Sequence, residues 1–427
     1  MRKTLLCGPM GCLARRVLIA YRLTWLIVAP LILLWSLQQA WTRSGGISYL
    51  RQRFGLCRID AAQAPVWFHA ASVGEVQLVA PLIAATLQNG VLLTCNTPDA
   101  HRLAQEIWGI RLTIRYCPLD FVWSVKALLR AYQPKCLFVA ETEIWPELYR
   151  QCRNAKVPIH IVSGRISDKT YHAAFPIRVF LKNALENVTM VWARSDVECQ
   201  RFIDLGCAAD RVENSGSLKM GRIILDAPPD HPMDGRPYSL AVSTHPNEDM
   251  IVARAWRESA DTHLLVVIPR HPQRGFAIAA LLEAEGFIVA RRSDTYRPTL
   301  DTEIYIADTI GEVDAFCAHA ELVFVGGSMV PHGGHNVFEA AARGKPVIVG
   351  HHTHNFADEV AYLRDRDAIQ IVSTETELAA QWRRTKSDDT YRSALIAATK
   401  KAYAELPDRE AEYIARVRHA IKEHFAV

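Results

Sequence analysis

The chain has 427 residues, of which half are apolar and 22% are charged, and its formal net charge is +4. This length exceeds one ordinary domain and predicts two, while the mild positive charge does not indicate a nucleic-acid-binding protein. The ten cysteines form no Cys-x-x-Cys pair. Their usage argues against a zinc site or a disulfide framework and is typical of a reducing compartment.

An uncharged apolar segment stands near the start of the sequence. Residues 23–42 carry no charge, and the run is about long enough to cross a bilayer. Three tryptophans could act as interfacial anchors: Trp25, Trp35 and Trp41. A cleaved signal peptide is the alternative, which the missing Ala-x-Ala site disfavours, and Pro30 leaves open a helix that lies in the interface. We assign residues 1–42 to a membrane anchor.

A basic stretch follows the apolar segment. Four arginines crowd it beside aromatic and apolar residues: Arg43, Arg51, Arg53 and Arg58. A basic segment next to an anchor is typical of juxtamembrane sequences that are attracted to anionic head groups, and a solvated helix face is the alternative. We expect this basic collar to contact the membrane surface.

Short apolar runs then alternate with helical patterns through residues 43–225, which we assign to a first domain. Six runs have the composition of strands: residues 65–71, 91–95, 112–117, 136–140, 158–162 and 190–193. Helical patterns lie between them, for example over residues 121–132 and 146–154. This alternation predicts a mostly parallel, doubly wound sheet.

The tetrad Ser72-Val73-Gly74-Glu75 ends the first of these strands and opens a helical pattern. Glu75 should therefore lie at the carboxyl edge of a parallel sheet, where open α/β folds hold their ligands. A carboxylate at that edge could serve as a general base. The alternative is that Glu75 only complements the positive end of its helix.

Four prolines interrupt the pattern between residues 226 and 237. A segment so rich in proline forms neither a helix nor a central strand, so we interpret it as a linker. The alternation resumes in residues 238–427, where seven runs predict strands: residues 239–242, 264–268, 287–290, 304–307, 322–325, 347–349 and 369–372. The sequence therefore predicts the GT-B architecture, with two doubly wound Rossmann-like α/β domains and an interdomain cleft.

Three strand ends in the second domain carry residues suited to a nucleotide. One leads to Pro269-Arg270, whose guanidinium could hold a phosphate. Another leads to Ile310-Gly311-Glu312 before a helix, whose free N–H groups favour an anion. A third leads through Gly326-Gly327-Ser328 to Asn336-Val337-Phe338-Glu339, which an ordinary helix cap would also explain. Together the three ends predict a nucleotide site.

Five histidines could be taken for metal ligands: His332, His335, His351, His352 and His354. Their spacing fits no standard tetrahedral set, and no cluster of carboxylates accompanies them. We therefore expect no metal and no other cofactor.

Several motifs together resemble those of the Kdo transferases, which move 3-deoxy-D-manno-octulosonic acid (Kdo) from CMP-Kdo to a lipid A precursor. The likeness runs from about Gly45 to the C-terminus. It is carried by these segments: Ser72-Val73-Gly74-Glu75, Glu141-Thr142-Glu143-Ile144-Trp145-Pro146, Gly216-Ser217-Leu218-Lys219, Ser243-Thr244-His245, Pro269-Arg270-His271-Pro272, Gly326-Gly327-Ser328 and Gly333-Gly334-His335-Asn336 with Glu339. Two departures are Val337-Phe338, where the family commonly has Pro-Leu, and Met220-Gly221, where it has Phe-Asp.

The resemblance implies roles for individual residues. Glu75 would be the proton acceptor. CMP would be held by three segments: Pro269-Arg270, Ile310-Gly311-Glu312 and Asn336-Val337-Phe338-Glu339. Additional candidates at the site are Ser72, Glu141, Lys219 and Ser328. Glu141 and Glu143 would shape the acceptor or Kdo pocket, unless they only complement the start of the next helix.

The implied reaction is an inverting, metal-independent transfer of Kdo in lipopolysaccharide biosynthesis. The donor is CMP-Kdo, the acceptor is the lipid A precursor lipid IVA, and no nucleic acid takes part. The enzyme would work at the cytoplasmic side of the inner membrane, held there by the anchor and the basic collar. Two alternatives remain open: a GT-B glycosyltransferase that uses a UDP-sugar, and a membrane-tethered sugar-nucleotide binding protein without catalysis.

Overall fold

The computed structural model describes residues 9–42, 45–56, 66–221 and 227–425. Two compact units are present. The first consists of Met1–Gly221 together with Asp408–Val427, and the second of Arg222–Pro407. Within the described residues, each unit contains one sheet of seven strands.

Seven parallel strands form the sheet of the first unit: β1 (Val66–His69), β2 (Val91–Cys95), β3 (Thr113–Tyr116), β4 (Cys136–Ala140), β5 (Ile159–Gly164), β6 (Met190–Ala193) and β7 (Val212–Asn214). Their order across the sheet is β3-β2-β1-β4-β5-β6-β7. The chain therefore builds outward from β1 in one direction and then from β4 in the other. Doubly wound folds bind their ligands where the strand order reverses in this way.

The first unit contains these helices: α1 (Pro9–Thr42), α2 (Gly46–Arg53), α3 (Val73–Ala84), α4 (Pro98–Trp108), α5 (Val122–Tyr132), α6 (Pro146–Asn154), α7 (Asp168–Tyr171), α8 (Phe175–Leu185), α9 (Asp196–Asp204) and a C-terminal helix (Arg409–Phe425). Successive strand residues point to opposite faces of the sheet. Phe68 accordingly packs in one buried cluster with α3, and Trp67 packs in another with α5 and α6. The two clusters form the core of this unit.

Seven parallel strands also form the sheet of the second unit: β8 (Tyr238–Thr244), β9 (Leu264–Pro269), β10 (Val289–Arg291), β11 (Ile304–Ile306), β12 (Val323–Val325), β13 (Val347–Gly350) and β14 (Gln370–Val372). Their order is β10-β11-β9-β8-β12-β13-β14. The reversal of strand order falls between β8 and β12.

The helices of the second unit connect these strands: α10 (Glu248–Glu258), α11 (Gly275–Ala284), α12 (Val313–His319), α13 (Phe338–Ala342), α14 (Ala357–Arg364), α15 (Glu375–Ser387) and α16 (Asp389–Ala404). One buried cluster joins α10, α11 and α15 to the strands and includes Trp256, Phe324 and Trp382. The described part of the proline-rich segment, residues 227–237, contains neither a helix nor a strand, as its prolines predict.

These sheets confirm the predicted fold of two doubly wound α/β halves. Two features differ from the sequence analysis. Strand β7 was not predicted, because it has three residues and lies partly exposed at the sheet edge. The C-terminal helix, which was grouped with the second domain, packs in the first unit: Tyr413 and Val417 are fully buried in the cluster that contains Phe68.

One helix in the described part of the chain is long and apolar enough to cross a membrane. It is α1, in which the segment Ile19–Trp41 has 23 residues. The expectation that the basic collar contacts the membrane surface is wrong for Arg53. This side chain is buried, and its Nη1 donates hydrogen bonds to Asn96 Oδ1 at 2.9 Å and to the Cys117 carbonyl oxygen at 2.7 Å. A guanidinium enclosed in this way stabilises the unit and cannot reach lipid head groups. Arg51 is exposed, whereas Arg43 and Arg58 lie outside the described residues.

Candidate active site

The loops that follow β1 and β4 lie side by side at the carboxyl edge of the first sheet. The two strands pair in parallel register, with His69 opposite Val139. The loops carry four of the residues singled out by sequence: Ser72, Glu75, Glu141 and Glu143. The reversal of strand order therefore brings these polar groups to one place.

Glu75 stands in the first turn of α3, and Ser72 is the N-cap of that helix. Ser72 Oγ accepts a hydrogen bond from the Glu75 N–H at 3.4 Å and donates one to Glu75 Oε1 at 2.9 Å. The Ala71 N–H donates to Glu75 Oε2, also at 2.9 Å. This arrangement is of the capping-box type. It fixes the orientation of the carboxylate while leaving the residue partly accessible to solvent.

Glu143 is an ordered carboxylate beside Glu75. Its Oε2 accepts hydrogen bonds from Asn96 Nδ2 at 2.8 Å and from Trp145 Nε1 at 2.7 Å. The Nε2 of His69 lies 3.7 Å from the same oxygen. His69 is fully buried. The donors from three loops and strands therefore stabilise the ionised form of Glu143.

The environments of the two carboxylates push their pKa values apart. Burial raises the pKa of Glu75 to about 7, and the charge of Glu143 adds to this effect. Burial also acts to raise the pKa of Glu143, but the nearby His69 ring and the hydrogen bonds from Trp145 and Asn96 outweigh it and hold that pKa below its ordinary value. Such separation is the pattern from which acid–base roles follow. Near neutral pH Glu143 is ionised, whereas Glu75 can gain or lose a proton.

Glu141 and Lys219 form an ion pair at the same sheet edge. Lys219 Nζ donates to Glu141 Oε1 at 2.7 Å, and the side chains are 34% and 17% exposed. Glu141 has a φ of 51°, a left-handed conformation that costs a non-glycine residue about 1–2 kcal/mol. Ser163, at the end of β5, also has a positive φ, and its Oγ accepts a hydrogen bond from the Leu218 N–H at 3.2 Å. These contacts hold residues 216–219 against the candidate site.

Sequence reasoning missed two residues at this edge, His69 and Asn96. Asn96 follows directly after β2, so the rule that ligands bind at the carboxyl ends of strands could have found it. His69 is the last residue of β1 and was included in an apolar run. No pattern in the sequence distinguished it from a core histidine.

In the second unit, a buried carboxylate shapes the loop after β12. Glu248, in the first turn of α10, is fully buried. Its two oxygens accept hydrogen bonds from three successive backbone N–H groups at 2.6 to 2.9 Å: those of Gly327, Ser328 and Met329. Burial raises the pKa of Glu248, and these amides oppose the rise. The carboxylate therefore sets the path of the glycine-rich loop.

The Ser328 side chain has a role within this loop. It is fully buried, its Oγ donates to the Val325 carbonyl oxygen at 2.6 Å, and it accepts a hydrogen bond from the Gly350 N–H at 2.8 Å. Gly350 packs so closely on the Ser328 backbone that a Cβ would have no space. The structure thus places Ser328 in the support of the loop, with its hydroxyl turned away from solvent.

Histidines gather at the reversal of strand order between β8 and β12. His245 Nε2 lies 2.8 Å from His335 Nε2, and the ring centroid of His332 lies 3.7 Å from that of His245, with the two rings tilted by 30°. The nitrogens of the three lie within 4.8 Å of one another, close enough to hold a metal ion. Burial, with nearby histidines and arginines, lowers the pKa of His245 and of His335 to about 4. One N–H···N hydrogen bond between two neutral imidazoles would also explain the short contact between His245 and His335. The absence of a metal therefore stays a prediction.

The first predicted donor segment lies where β9 ends. Pro269 is buried in the strand, and Arg270 follows it with an exposed side chain. Burial is the main cause that lowers the pKa values of His245 and His335, and the positive charge of nearby Arg270 lowers them further. Its guanidinium is therefore placed at the same edge as the histidines.

The second predicted donor segment precedes α12. Ile310 is 88% exposed, and Gly311 has a φ of 89°. Glu312 is already engaged: Arg292 Nε donates to its Oε2 at 2.7 Å, and Thr309 bonds the same carboxylate. Burial opposes ionisation, but these donors hold the pKa of Glu312 below its ordinary value. Ile310 and Gly311 are thus the accessible members of this segment.

The third predicted donor segment opens α13. Val337 and Phe338 have buried side chains, so they pack in the core and present only backbone to the edge. Asn336 Oδ1 accepts a hydrogen bond from the Phe338 N–H at 3.0 Å, and its Nδ2 lies 3.4 Å from Glu339 Oε1. Glu339 is exposed. These bonds order the turn before α13, but the N-cap is Val337 without a side-chain cap bond, so the capping arrangement expected from sequence is not formed and Glu339 stays accessible.

Known proteins that are similar to this chain are described as Kdo transferases. A family model described as 3-deoxy-D-manno-octulosonic-acid transferase (kdotransferase) matches residues 48–222. The chain is 35% identical over 366 residues to a 3-deoxy-D-manno-octulosonic acid transferase of Bordetella pertussis, a match that covers 80% of this chain and 84% of the relative. This chain belongs to the Kdo transferase family. It is therefore a glycosyltransferase of lipopolysaccharide biosynthesis that transfers Kdo.

Two further matches agree with this assignment. The chain is 31% identical to the transferase of the same name from Haemophilus influenzae, covering 77% of this chain and 81% of the relative. The fold is similar to that of UDP-GlcNAc 2-epimerase from Neisseria meningitidis, with a TM-score of 0.53, 12% identity and coverage of 84% of this chain and 99% of the epimerase chain. At this identity the likeness shows the GT-B-type fold alone.

Proposed function

We propose that the protein transfers Kdo from CMP-Kdo to the lipid A precursor lipid IVA in an inverting, metal-independent reaction, with Glu75 as the general base. Family membership supports the transferred sugar. The observation that carries the role of Glu75 is its pKa of about 7 beside the ionised Glu143. A carboxylate with a pKa near the working pH is a more effective base than an ordinary glutamate.

The proposed chemistry is a single displacement. A primary hydroxyl of the acceptor is too weak an acid to attack unaided, so Glu75 takes its proton as the oxygen bonds to the anomeric carbon of Kdo. The bond from that carbon to the phosphate oxygen breaks, and its electron pair leaves with CMP. Arg270 neutralises the charge that grows on the phosphate, while Glu339 accepts hydrogen bonds from the ribose hydroxyls. The pair Glu141–Lys219 borders the sugar pocket.

The acceptor also accounts for the N-terminal helix in this proposal. Lipid IVA is an anionic lipid held in a membrane, and the apolar stretch Ile19–Trp41 would keep the enzyme at the cytoplasmic side of the inner membrane. The surplus of arginine near this stretch favours an anionic surface.

A donor screen tests the proposal. The detergent-solubilised protein is incubated with lipid IVA and, in turn, CMP-Kdo, UDP-GlcNAc and UDP-glucose, and the lipid is analysed by mass spectrometry. We expect the lipid to gain one or more Kdo units when CMP-Kdo is the donor and to gain no sugar from either UDP-sugar. Transfer from a UDP-sugar would refute the donor, and binding of CMP without any transfer would favour a non-catalytic binding protein.

A further inference from the structure

Helix α1 has two distinct faces over residues 19–41. Buried or half-buried residues recur every three or four positions: Tyr21, Trp25, Ala29, Ile32, Ser36 and Ala40. This spacing marks one stripe of an α-helix. The stripe continues over the entire segment that could cross a membrane, so the helix contacts the first unit from one end of that segment to the other.

Polar contacts fasten the N-terminal end of this stripe. Tyr21 OH donates to Asp120 Oδ2 at 2.6 Å, and both groups are buried. Arg22 Nε and Nη2 donate to the two oxygens of Glu147 at 3.0 and 2.8 Å. Asp120 also accepts hydrogen bonds from the N–H groups of Glu147 and Leu148. A bidentate guanidinium–carboxylate pair next to a buried hydrogen bond defines one docking position.

Aromatic and apolar contacts fasten the rest. The ring of Trp25 lies 5.3 Å from Phe121 and 6.2 Å from Trp145. Trp145 in turn donates to Glu143 at the candidate active site. Near the other end, Ala40 packs with Tyr49 and with Tyr116 at the end of β3. The helix is thus part of the unit's packing beside the candidate active site.

The distance between the two docked ends decides the orientation. Tyr21 and Ala40 are 19 residues apart, which is about 28 Å along a helix axis. A helix that crosses a bilayer runs through about 30 Å of hydrocarbon, where a water-soluble domain cannot stay in contact with it. Because both ends of the apolar segment touch the same unit, α1 lies along the surface of that unit.

The face opposite the stripe is apolar and open to solvent. Its large side chains are 52% to 82% exposed: Ile19, Leu23, Ile27, Leu31, Leu34 and Trp41. We propose that α1 lies in the plane of an anionic membrane surface, with this face in the lipid and its docked face on the enzyme, and does not cross the bilayer. The inference rests on the membrane association in the proposed function and adds the geometry.

Charge favours lipid over a second copy of the chain as the occupant of this face. The first 60 residues contain nine Lys and Arg residues and one Asp. Arg53 is buried and Arg22 is paired with Glu147, which leaves seven other basic residues. Two such segments would repel each other, whereas an anionic leaflet attracts them, by about 1 kcal/mol per basic residue near the surface. Trp35 and Trp41, which are 48% and 82% exposed, suit the head-group region.

Topology is the first test. The chain carries one epitope before Met1 and another after Val427, and protease is added to inverted inner-membrane vesicles. We expect both epitopes to be removed, because both ends lie on the cytoplasmic side. Protection of the N-terminal epitope with loss of the C-terminal one would show a spanning helix and overturn the inference. Kdo transfer by the same protein in detergent tests the proposed function independently of this result.

Vesicle flotation is the second test. Deletion of the helix would leave Asp120 and Glu147 buried without Tyr21 and Arg22, so the test uses single substitutions. Ile27→Lys and Leu34→Lys should lower binding to phosphatidylethanolamine–phosphatidylglycerol vesicles at least tenfold without lowering the melting temperature. The matched control is Ile110→Lys, since Ile110 is a fully exposed isoleucine of the same unit that is not part of α1. Equal binding of all variants, or a dimer that dissociates in Ile27→Lys, would overturn the inference.

Discussion

Replacement of Glu75 by glutamine keeps the shape of the side chain and removes its ability to accept a proton. In the wild type both oxygens of Glu75 accept hydrogen bonds, from Ser72 Oγ and from the Ala71 N–H. Glutamine retains one acceptor oxygen and replaces the other with a donor. If Glu75 is the general base, the Kdo transfer rate should fall by about 10²- to 10⁴-fold. If it only caps α3, the rate should change little.

The pKa gives the expected effect on stability and its sign. The folded-state pKa of about 7 is raised from 4.5. Between these two pH values the folded protein keeps a proton that the unfolded chain has lost, so the wild type loses stability as pH rises through this window. At 1.36 kcal/mol per pKa unit, the loss above pH 7 is about 3 kcal/mol. Glutamine avoids this loss but gives up one hydrogen bond, worth about 1 kcal/mol.

We therefore expect Glu75→Gln to be more stable than the wild type at pH 8 by about 2 kcal/mol, and to lose that advantage at pH 4.5. Denaturant unfolding of both proteins at the two pH values measures this difference, and a CMP-Kdo transfer assay at pH 8 measures the rate. CMP affinity serves as the control for an intact donor site. A variant that is less stable at pH 8 and turns over near the normal rate would refute the argument and leave Glu75 as a helix cap.

Four further outcomes follow from the same structure. Arg270→Ala and Glu339→Ala should each weaken CMP binding by about 1.5–3 kcal/mol, as calorimetry would show, because each removes a charge-assisted hydrogen bond; unchanged affinity in both would place the nucleotide elsewhere. Lys219→Met should lower the transfer rate more than CMP affinity, because it unpairs Glu141 in the first unit alone; a loss of CMP affinity alone would contradict this. Glu248→Ala should lower both CMP affinity and melting temperature, because three backbone N–H groups lose their acceptor; a fully stable variant with normal affinity would refute its role in the loop. Transfer by the wild type should increase with pH up to a plateau above about pH 7, since Glu75 must be ionised to act; a rate independent of pH between 5 and 8 would count against it.

Most of the fold follows from the pattern of apolar runs. Central parallel strands are buried on both faces, so they form continuous apolar runs, and every strand predicted in the second half is present. Strand β7 escaped notice because an edge strand of three residues lacks such a run. The C-terminal helix does carry a helical apolar stripe with Tyr413, Val417 and Ile421. The pattern shows that such a helix must pack, but not which sheet receives it.

The candidate site was predictable where local sequence sets the geometry. Ser72 and Glu75 are three positions apart on one strand–helix turn, so their contact is local. The contacts of Glu143 with Asn96 and His69 depend on strand order, which brings β1, β2 and β4 together at one edge. Arg53 was misjudged for a related reason: its partners lie 43 and 64 residues further along the chain. Long-range pairing of this kind leaves no trace in spacing.

The return of the C-terminal helix to the first unit has a consequence for how the chain folds as it is made. The core around Phe68 includes Tyr413 and Val417, so it is incomplete while residues 222–407 are still being translated. At 5–20 residues per second this interval lasts roughly 10 to 40 s. The second unit can therefore fold before synthesis of the first unit is complete. A truncation that removes Arg409–Phe425 would thus damage the half of the molecule that is synthesised earlier.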